Sequence, residues 1–359
     1  MITALLSFLT LVQANVGSEM KGPDPVAEAE AVEAVYEDYH PLAEALFQLD
    51  AEARQDHIVA RRLTRDDPVP EDLHQHLQSR REARRTDLLA AIDAYDPIAL
   101  VERAPQTANF LTRLVRLDID PALSEALMAR FEPLAGTPAL HRLVYDSLTT
   151  TGAPNDEQSA APGLGPAAPD KLAIFKRDRA RHAEIVTALG AASGRDQFVR
   201  SVFVPRIAAF GADAGGFIEA FQPVITAVDA DNADFARKLL DQPGFAVLHA
   251  EAPDAAQRIV DLLHHGGTDA DKARLLALIE PLAIAGEFDG QSYALMHDRL
   301  AESEGRPQRY GTQDACTDGR REIYTLEDPE RVDARRAAFG MMPLAEYRAI
   351  LIEQYGAAC

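Results

Sequence analysis

The sequence predicts a mostly α-helical protein, all-α in class, built as two helical-bundle halves from a degenerate tandem duplication and ending in a less regular C-terminal tail. Three observations carry this expectation. Apolar residues recur three or four apart, as in Ile259, Leu262 and Leu263 and then Leu275, Leu276, Ile279 and Leu282, which is the spacing of a helix with one buried face. Strand signals are few: the β-branched and aromatic run in residues 197–204 and the short stretch 322–326. Similar segments also recur in the same order on either side of a region rich in Gly, Pro, Ala and Ser.

The order of elements rests on those observations. Residues 1–14 have the pattern of a signal peptide: an apolar run over residues 2–12 and then Val12-Gln13-Ala14, with small residues at the −3 and −1 positions of a cleavage site. This predicts a periplasmic or secreted protein, with an apolar first helix in a cytoplasmic protein as the alternative. The apolar run is shorter than the ~20 residues that span a bilayer, so no transmembrane segment is expected. Residues 35–148 form the first helical domain, 149–170 a linker, and 171–359 the helical domain that carries the candidate site. The duplication pairs Leu46-Phe47-Gln48-Leu49-Asp50 with Ile174-Phe175-Lys176-Arg177-Asp178, and residues 128–135 with 276–283. Its third match pairs Leu143-Val144-Tyr145-Asp146-Ser147-Leu148 with Leu295-Met296-His297-Asp298-Arg299-Leu300. Asp269 and Asp271 stand where a helix N-cap is expected before the run that starts near Leu275.

Composition limits the partners. A formal charge of −21, from 57 acidic against 36 basic residues, repels phosphate backbones and anionic headgroups, so nucleic acid is not an expected partner. The basic run Arg80-Arg81-Glu82-Ala83-Arg84-Arg85 is read as a solvated helix face. The two cysteines, Cys316 and Cys359, lack the companions of a zinc site; in an oxidising compartment they are expected to pair as a disulfide. No metal is indicated, and neither the cofactor nor the oligomeric state is readable.

Toward the C-terminus the chain reads YALMHDRLAESEGRPQRYGTQ from Tyr293, then LEDPERVDARRAAFGMMPLAEY from Leu326. These segments resemble an uncharacterised bacterial family marked by an Asp-Arg pair on a helix, a Gly-x-x-Gln-x-Tyr-Gly-Thr-Gln motif and a following Asp-x-Arg-Arg segment, over roughly residues 171–347. The resemblance implies a site drawn from Asp178 and Arg181, Asp229 and Asn232, His265, Asp298 and Arg299, then Gln308, Tyr310, Gly311, Thr312, Gln313 and Arg336. It brings no established activity. This chain has His264-His265 where relatives have Gln-His, and Gln242-Pro243-Gly244 where they have Gly-Trp-Pro.

The residues also have a chemistry of their own. Gly311 permits a tight bend between the hydroxyls of Tyr310 and Thr312, with amides at Gln308 and Gln313, so the loop is either a recognition surface or a cap on the helix ending near Glu304-Gly305. His265 is a candidate proton carrier, imidazole being the side chain suited to proton transfer near neutral pH, or else caps its own helix. Adjacent imidazoles at 264 and 265 point ~100° apart on a helix, which disfavours a shared metal. The expected function is a periplasmic catalytic or ligand-binding domain for a small or peptide-like polar substrate. His265 is its proton carrier, Asp298 the carboxylate partner of that histidine, Arg299 an anion holder, and the loop orients the ligand. The alternative is a non-enzymatic helical interaction module in which the same residues lock a loop.

Overall fold

In a computed structural model of the chain, the described residues are 24–65, 67–104, 107, 121–131, 164–210 and 214–355. The expected signal peptide, Asp146 and Cys359 lie outside them, as does the side chain of Cys316. The described residues are mostly helical, as the apolar spacing predicts. In chain order they form α1 (Pro25–Leu63), β1 (Val69–Pro70), α2 (Glu71–Asp93), α3 (Pro97–Arg103), α4 (Pro121–Phe131), β2 (Leu164–Gly165), α5 (Pro169–Arg181) and α6 (Ala183–Phe210). Next come α7 (Gly215–Leu239), α8 (Phe245–Glu251), α9 (Pro253–Gly266), α10 (Asp269–Ile284), α11 (Gly290–Ser303), β3 (Asp314–Thr317), β4 (Arg320–Ile323), α12 (Val332–Ala338) and α13 (Leu344–Tyr355). Among the described residues no helix is long and apolar enough to cross a membrane.

The chain divides into two compact units, A (Ala34–Val202 with Val247–Arg258) and B (Met1–Glu33, Phe203–Ala246 and Ile259–Cys359). The division does not respect the 149–170 stretch: α5 and most of α6 lie in unit A with the described residues from 34 to 131. Leu164 and Gly165, at its end, pair in parallel with Val69 and Pro70.

Unit A is held by an apolar seam and a buried ionic one. Val59, Leu73 and Phe175 form a core cluster. The helices α1 and α6 approach closely, since a Cβ on Gly190 would lie 2.7 Å from Gln48 Cα and one on Gly194 2.6 Å from the Ala43 carbonyl. Only glycine admits that approach. Asp56, 2% exposed, accepts from Arg179 Nε at 2.8 Å and from Arg80 Nε at 2.7 Å. Asp50 accepts from Arg54 Nε at 3.0 Å and from Arg258 Nη2 at 2.8 Å. Buried carboxylates need such partners because desolvating a lone charge is costly.

The pairing of Asp50 with Asp178 expected from a duplication does not appear. Asp50 is buried between arginines, whereas the Asp178 side chain is 35% exposed and bonds its neighbour Arg177, and both lie in unit A.

In unit B, Phe203, Phe217 and Phe221 stack with centroids 5.3 to 6.0 Å apart. Ile259, Leu262, Leu263, Leu275 and Ile279 are buried, as their spacing predicts. Residues 197–204, a candidate strand, are helical within α6. Phe198 and Val199, then Val202 and Phe203, are all buried, an i, i+1, i+4, i+5 pattern that packs one helix face and overrides β propensity. The other candidate, residues 322–326, overlaps β4, which pairs antiparallel with β3 from Asp314↔Ile323 to Thr317↔Arg320.

Candidate functional site

The motif loop begins where α11 stops. Gly305, at φ +68°, comes after the C-cap Glu304; its amide donates to the Glu302 carbonyl at 3.0 Å and the Arg306 amide reaches Ala301 O at 2.7 Å. This is the Schellman closure, which needs a residue in the left-handed region. The chain then folds back over the inner face of α11, where Asp298 is 0% exposed.

Asp298 organises the returning chain. Its Oδ1 accepts from the Arg309 amide at 2.8 Å, both of its oxygens lie near the Tyr310 amide at 3.2 and 3.1 Å, and Oδ2 accepts from the Thr312 amide and hydroxyl, each at 3.0 Å. A chain turned so that successive amides converge is an anion nest, and here the anion is the protein's own carboxylate. Gly311 makes the turn possible. It sits at φ +67°, and a Cβ there would come within 2.7 Å of Leu344 Cδ1.

The glutamines close the other side. Gln308 is 0% exposed; its Oε1 accepts from the Gln313 amide at 2.9 Å, while Nε2 donates to Gln313 O at 3.0 Å and Tyr324 O at 2.7 Å. Its main chain bonds Thr325 O and the Glu327 amide, forming a parallel bridge to Leu326. Gln313 Nε2 donates to Thr312 Oγ1 at 3.0 Å. From α12, Arg336 donates through Nη1 to Tyr310 O and through Nε to Met342 O, both at 2.6 Å. It is 1% exposed, its guanidinium lies 5.0 Å from the Tyr347 ring centre, and burial lowers its pKa. Tyr347 returns a bond from its hydroxyl to Thr312 O at 3.1 Å.

Several participants escape a reading of the sequence. Tyr310 packs against Tyr293 at 6.1 Å, His297 at 5.6 Å and Phe339 at 5.6 Å. Burial raises the pKa of both tyrosines, and Tyr293 donates to Glu280 at 3.1 Å. His297 Nδ1 lies 3.4 Å from Asp298 Oδ1. Arg335 donates to Arg309 O at 2.7 Å. The visible hint was position: His297 adjoins Asp298, and Tyr293 precedes it by five residues on the same helix.

The candidates thus fall into separate groups. Asp298, Gln308, Tyr310, Gly311, Thr312, Gln313 and Arg336 are brought together, and most of their polar atoms are engaged with backbone. Arg299, one position past Asp298 and so about 100° around α11, is exposed. His265 closes α9, whose end abuts α7, with a Cβ on Gly266 falling 2.2 Å from the Asp229 carbonyl. Asn232, one turn further along α7, is 1% exposed. Among the described residues Asp298 makes no hydrogen bond to His265. Asp178 and Arg181 belong to unit A, where Arg181 Nη1 bonds Glu251 at 2.5 Å and His182 Nε2 lies 2.7 Å from the same carboxylate. The N-cap of α10 is Thr268, with Asp271 at N3 of a capping box, rather than either aspartate.

The chemistry this permits is narrow, because a carboxylate that accepts four donors presents no open face to a substrate. The class defined by fold and site is a helical unit that carries an internally ligated loop after α11. Residues 206–359 match the model of DUF6624, a family of unknown function, and so contain the whole motif loop but neither Asp178 nor Arg181. No curated protein and no solved structure matches the chain.

Proposed function

We propose that unit B is a non-enzymatic helical interaction module in which the Gln-x-Tyr-Gly-Thr-Gln segment is an architectural loop. The observation that carries this reading is the saturation of Asp298: three main-chain amides and one hydroxyl of residues 309–312 occupy its two oxygens. A general base needs a lone pair within reach of the substrate proton. The loop offers its outer edge, with Arg306 and Arg309, as a contact surface of fixed shape.

Hydrogen exchange on the wild type and on Asp298→Asn tests this. The substitution puts an amide donor among donors, leaving buried N–H groups without acceptors, at a cost of about 3 kcal/mol or more. The amides of 309, 310 and 312 are expected to be protected in the wild type and to lose that protection together in the variant, with a lower denaturation midpoint for unit B. A variant that keeps wild-type protection and midpoint would sink the architectural reading.

The module is further proposed to work in the periplasm or outside the cell. The support is in the sequence: the apolar run over 2–12, the small residues Val12 and Ala14, and just two cysteines, Cys316 and Cys359, which a disulfide would join.

A further inference from the structure

Residues 247–258 lie inside the region that matches the family model, 206–359, yet they group with unit A, whose other residues, 34–202, all precede that region. They form the corner where α8 ends and α9 begins. Leu248, Ala252 and Ala256 are 0% exposed, so the corner is a packed surface and not a solvent loop.

Several of its polar groups are held from outside the matched region. The Glu251 carbonyl accepts from Gln55 Nε2 and from Arg62 Nη1, both on α1 and each at 3.1 Å. The Glu251 carboxylate takes Arg181 Nη1 at 2.5 Å and faces His182 Nε2 at 2.7 Å, two residues at the junction of α5 and α6. Deeper in, Arg258 is 5% exposed and divides its guanidinium between Asp254 on its own helix and Asp50 on α1, each at 2.8 Å. The same guanidinium lies 5.9 Å from the centre of the Phe47 ring on α1. Removing one member of a buried ion pair leaves the other charge uncompensated, which is strongly destabilising.

We propose that the corner of α8 and α9 is a docking surface for helices outside the matched region, occupied in this chain by α1 and the junction of α5 and α6, and that this docking keeps the whole of α9 in place. The partner it fits is a helix face with a buried carboxylate, as at Asp50, and amide and guanidinium donors further along, as at Gln55 and Arg62. Chain continuity carries the effect onward. Helix α9 runs unbroken from Pro253 past Arg258 into Ile259, Leu262 and Leu263, buried residues of unit B, and ends at Gly266 beside the Asp229 carbonyl. Helix formation is cooperative, so a first turn that comes loose deprives the next of its acceptors and of its nucleus. None of these residues takes part in the hydrogen bonds of the motif loop, so the docking stands independently of the loop's role.

Hydrogen exchange on the full chain, followed by mass spectrometry of its peptides, reads the corner and the rest of α9 separately. Asp50→Asn, a change outside the matched region, is expected to speed exchange about a hundred-fold or more across residues 247–258 and across 259–266 as well. Strands β3 and β4 are expected to keep the wild-type rate, which separates loosening of α9 from global unfolding. The double variant Asp50→Leu with Arg258→Met replaces both buried charges by apolar groups, and is expected to bring both segments back to within about ten-fold of wild-type protection. Glu251→Gln keeps the carbonyl contacts and weakens the hold of the half-exposed Arg181, so a smaller rise, about two- to ten-fold, is expected in both segments. The idea is overturned if 259–266 keep wild-type protection in Asp50→Asn, if β3 and β4 speed up as much as α9, or if the double variant exchanges as fast as the single one.

Discussion

Gly305 and Gly311 share nearly the same backbone angle, φ +68° and +67°, but differ in surroundings. Nothing lies within 4 Å of a Cβ built on Gly305, whereas one on Gly311 would press into Leu344 and Leu326. Gly305→Ala is therefore expected to cost only the left-handed strain, about 1 kcal/mol. Gly311→Ala adds overpacking and is expected to cost about 2 to 4 kcal/mol in all. Urea midpoints of the two variants measure the difference directly. Equal midpoints would mean that Leu344 moves aside without cost and that α13 is not fastened to the loop. The same residue-level view explains why the motif misleads when read as chemistry. Hydroxyls, amides and a carboxylate crowded around a glycine describe a ligand pocket and a self-ligated turn equally well. Only the directions of the Asp298, Gln308 and Arg336 bonds distinguish the two.

At the scale of elements, the start of α10 combines a cap with a tertiary tie. Asp271 accepts the Thr268 hydroxyl at 2.7 Å and amide at 3.0 Å as the N3 member of the capping box. It also receives a two-pronged contact from Arg237 on α7, each bond 2.9 Å. The Arg237 bonds, helped by Thr268, hold the Asp271 pKa down at about 2. An unfolded Asp titrates near 3.9, so the unfolded chain takes up the proton first as pH falls. The linked stability, on the order of 2 kcal/mol, is present above pH ~4 and is lost as pH drops toward ~2. Arg237→Met should flatten the acid limb of a plot of urea midpoint against pH between 2 and 6, and parallel curves for the two proteins would refute the assignment. Much of this helix was legible beforehand, since the spacing of Leu275 and Ile279 fixes its buried face. The cap was misplaced onto Asp269 and Asp271 because an aspartate at N3 and one at the N-cap look alike until the preceding Thr268 is seen turning into the helix. Residues 197–204 show the converse: β-branched residues form a strand in isolation, but here both edges of the run are buried on one helix face.

For the molecule as a whole, the helical class was readable from periodicity, while the way the chain divides was not. The unit boundaries at 33/34, 202/203, 246/247 and 258/259 all fall inside α1, α6, α8 and α9, and only the third has a Pro-Gly pair, Pro243-Gly244, close before it. A composition scan instead finds residues 149–170. The proposed export is the remaining whole-chain property, and it ties both ends of the sequence together. If residues 1–14 are removed on secretion, the mature chain begins at Asn15, and Cys316 and Cys359 are the two thiols within residues 15–359. A free thiol in an oxidising compartment is readily captured, and joining Cys359 to Cys316, three residues past Gln313, would bind residue 359 to the motif loop. Closing that loop is worth about 4 kcal/mol on the chain-entropy account. Protein isolated from its native compartment is expected to have a mass matching a start at Asn15 with both cysteines oxidised, and reduction should lower its urea midpoint. A chain that retains Met1, or that carries two alkylatable thiols, would remove the case for export and leave Cys359 without a partner.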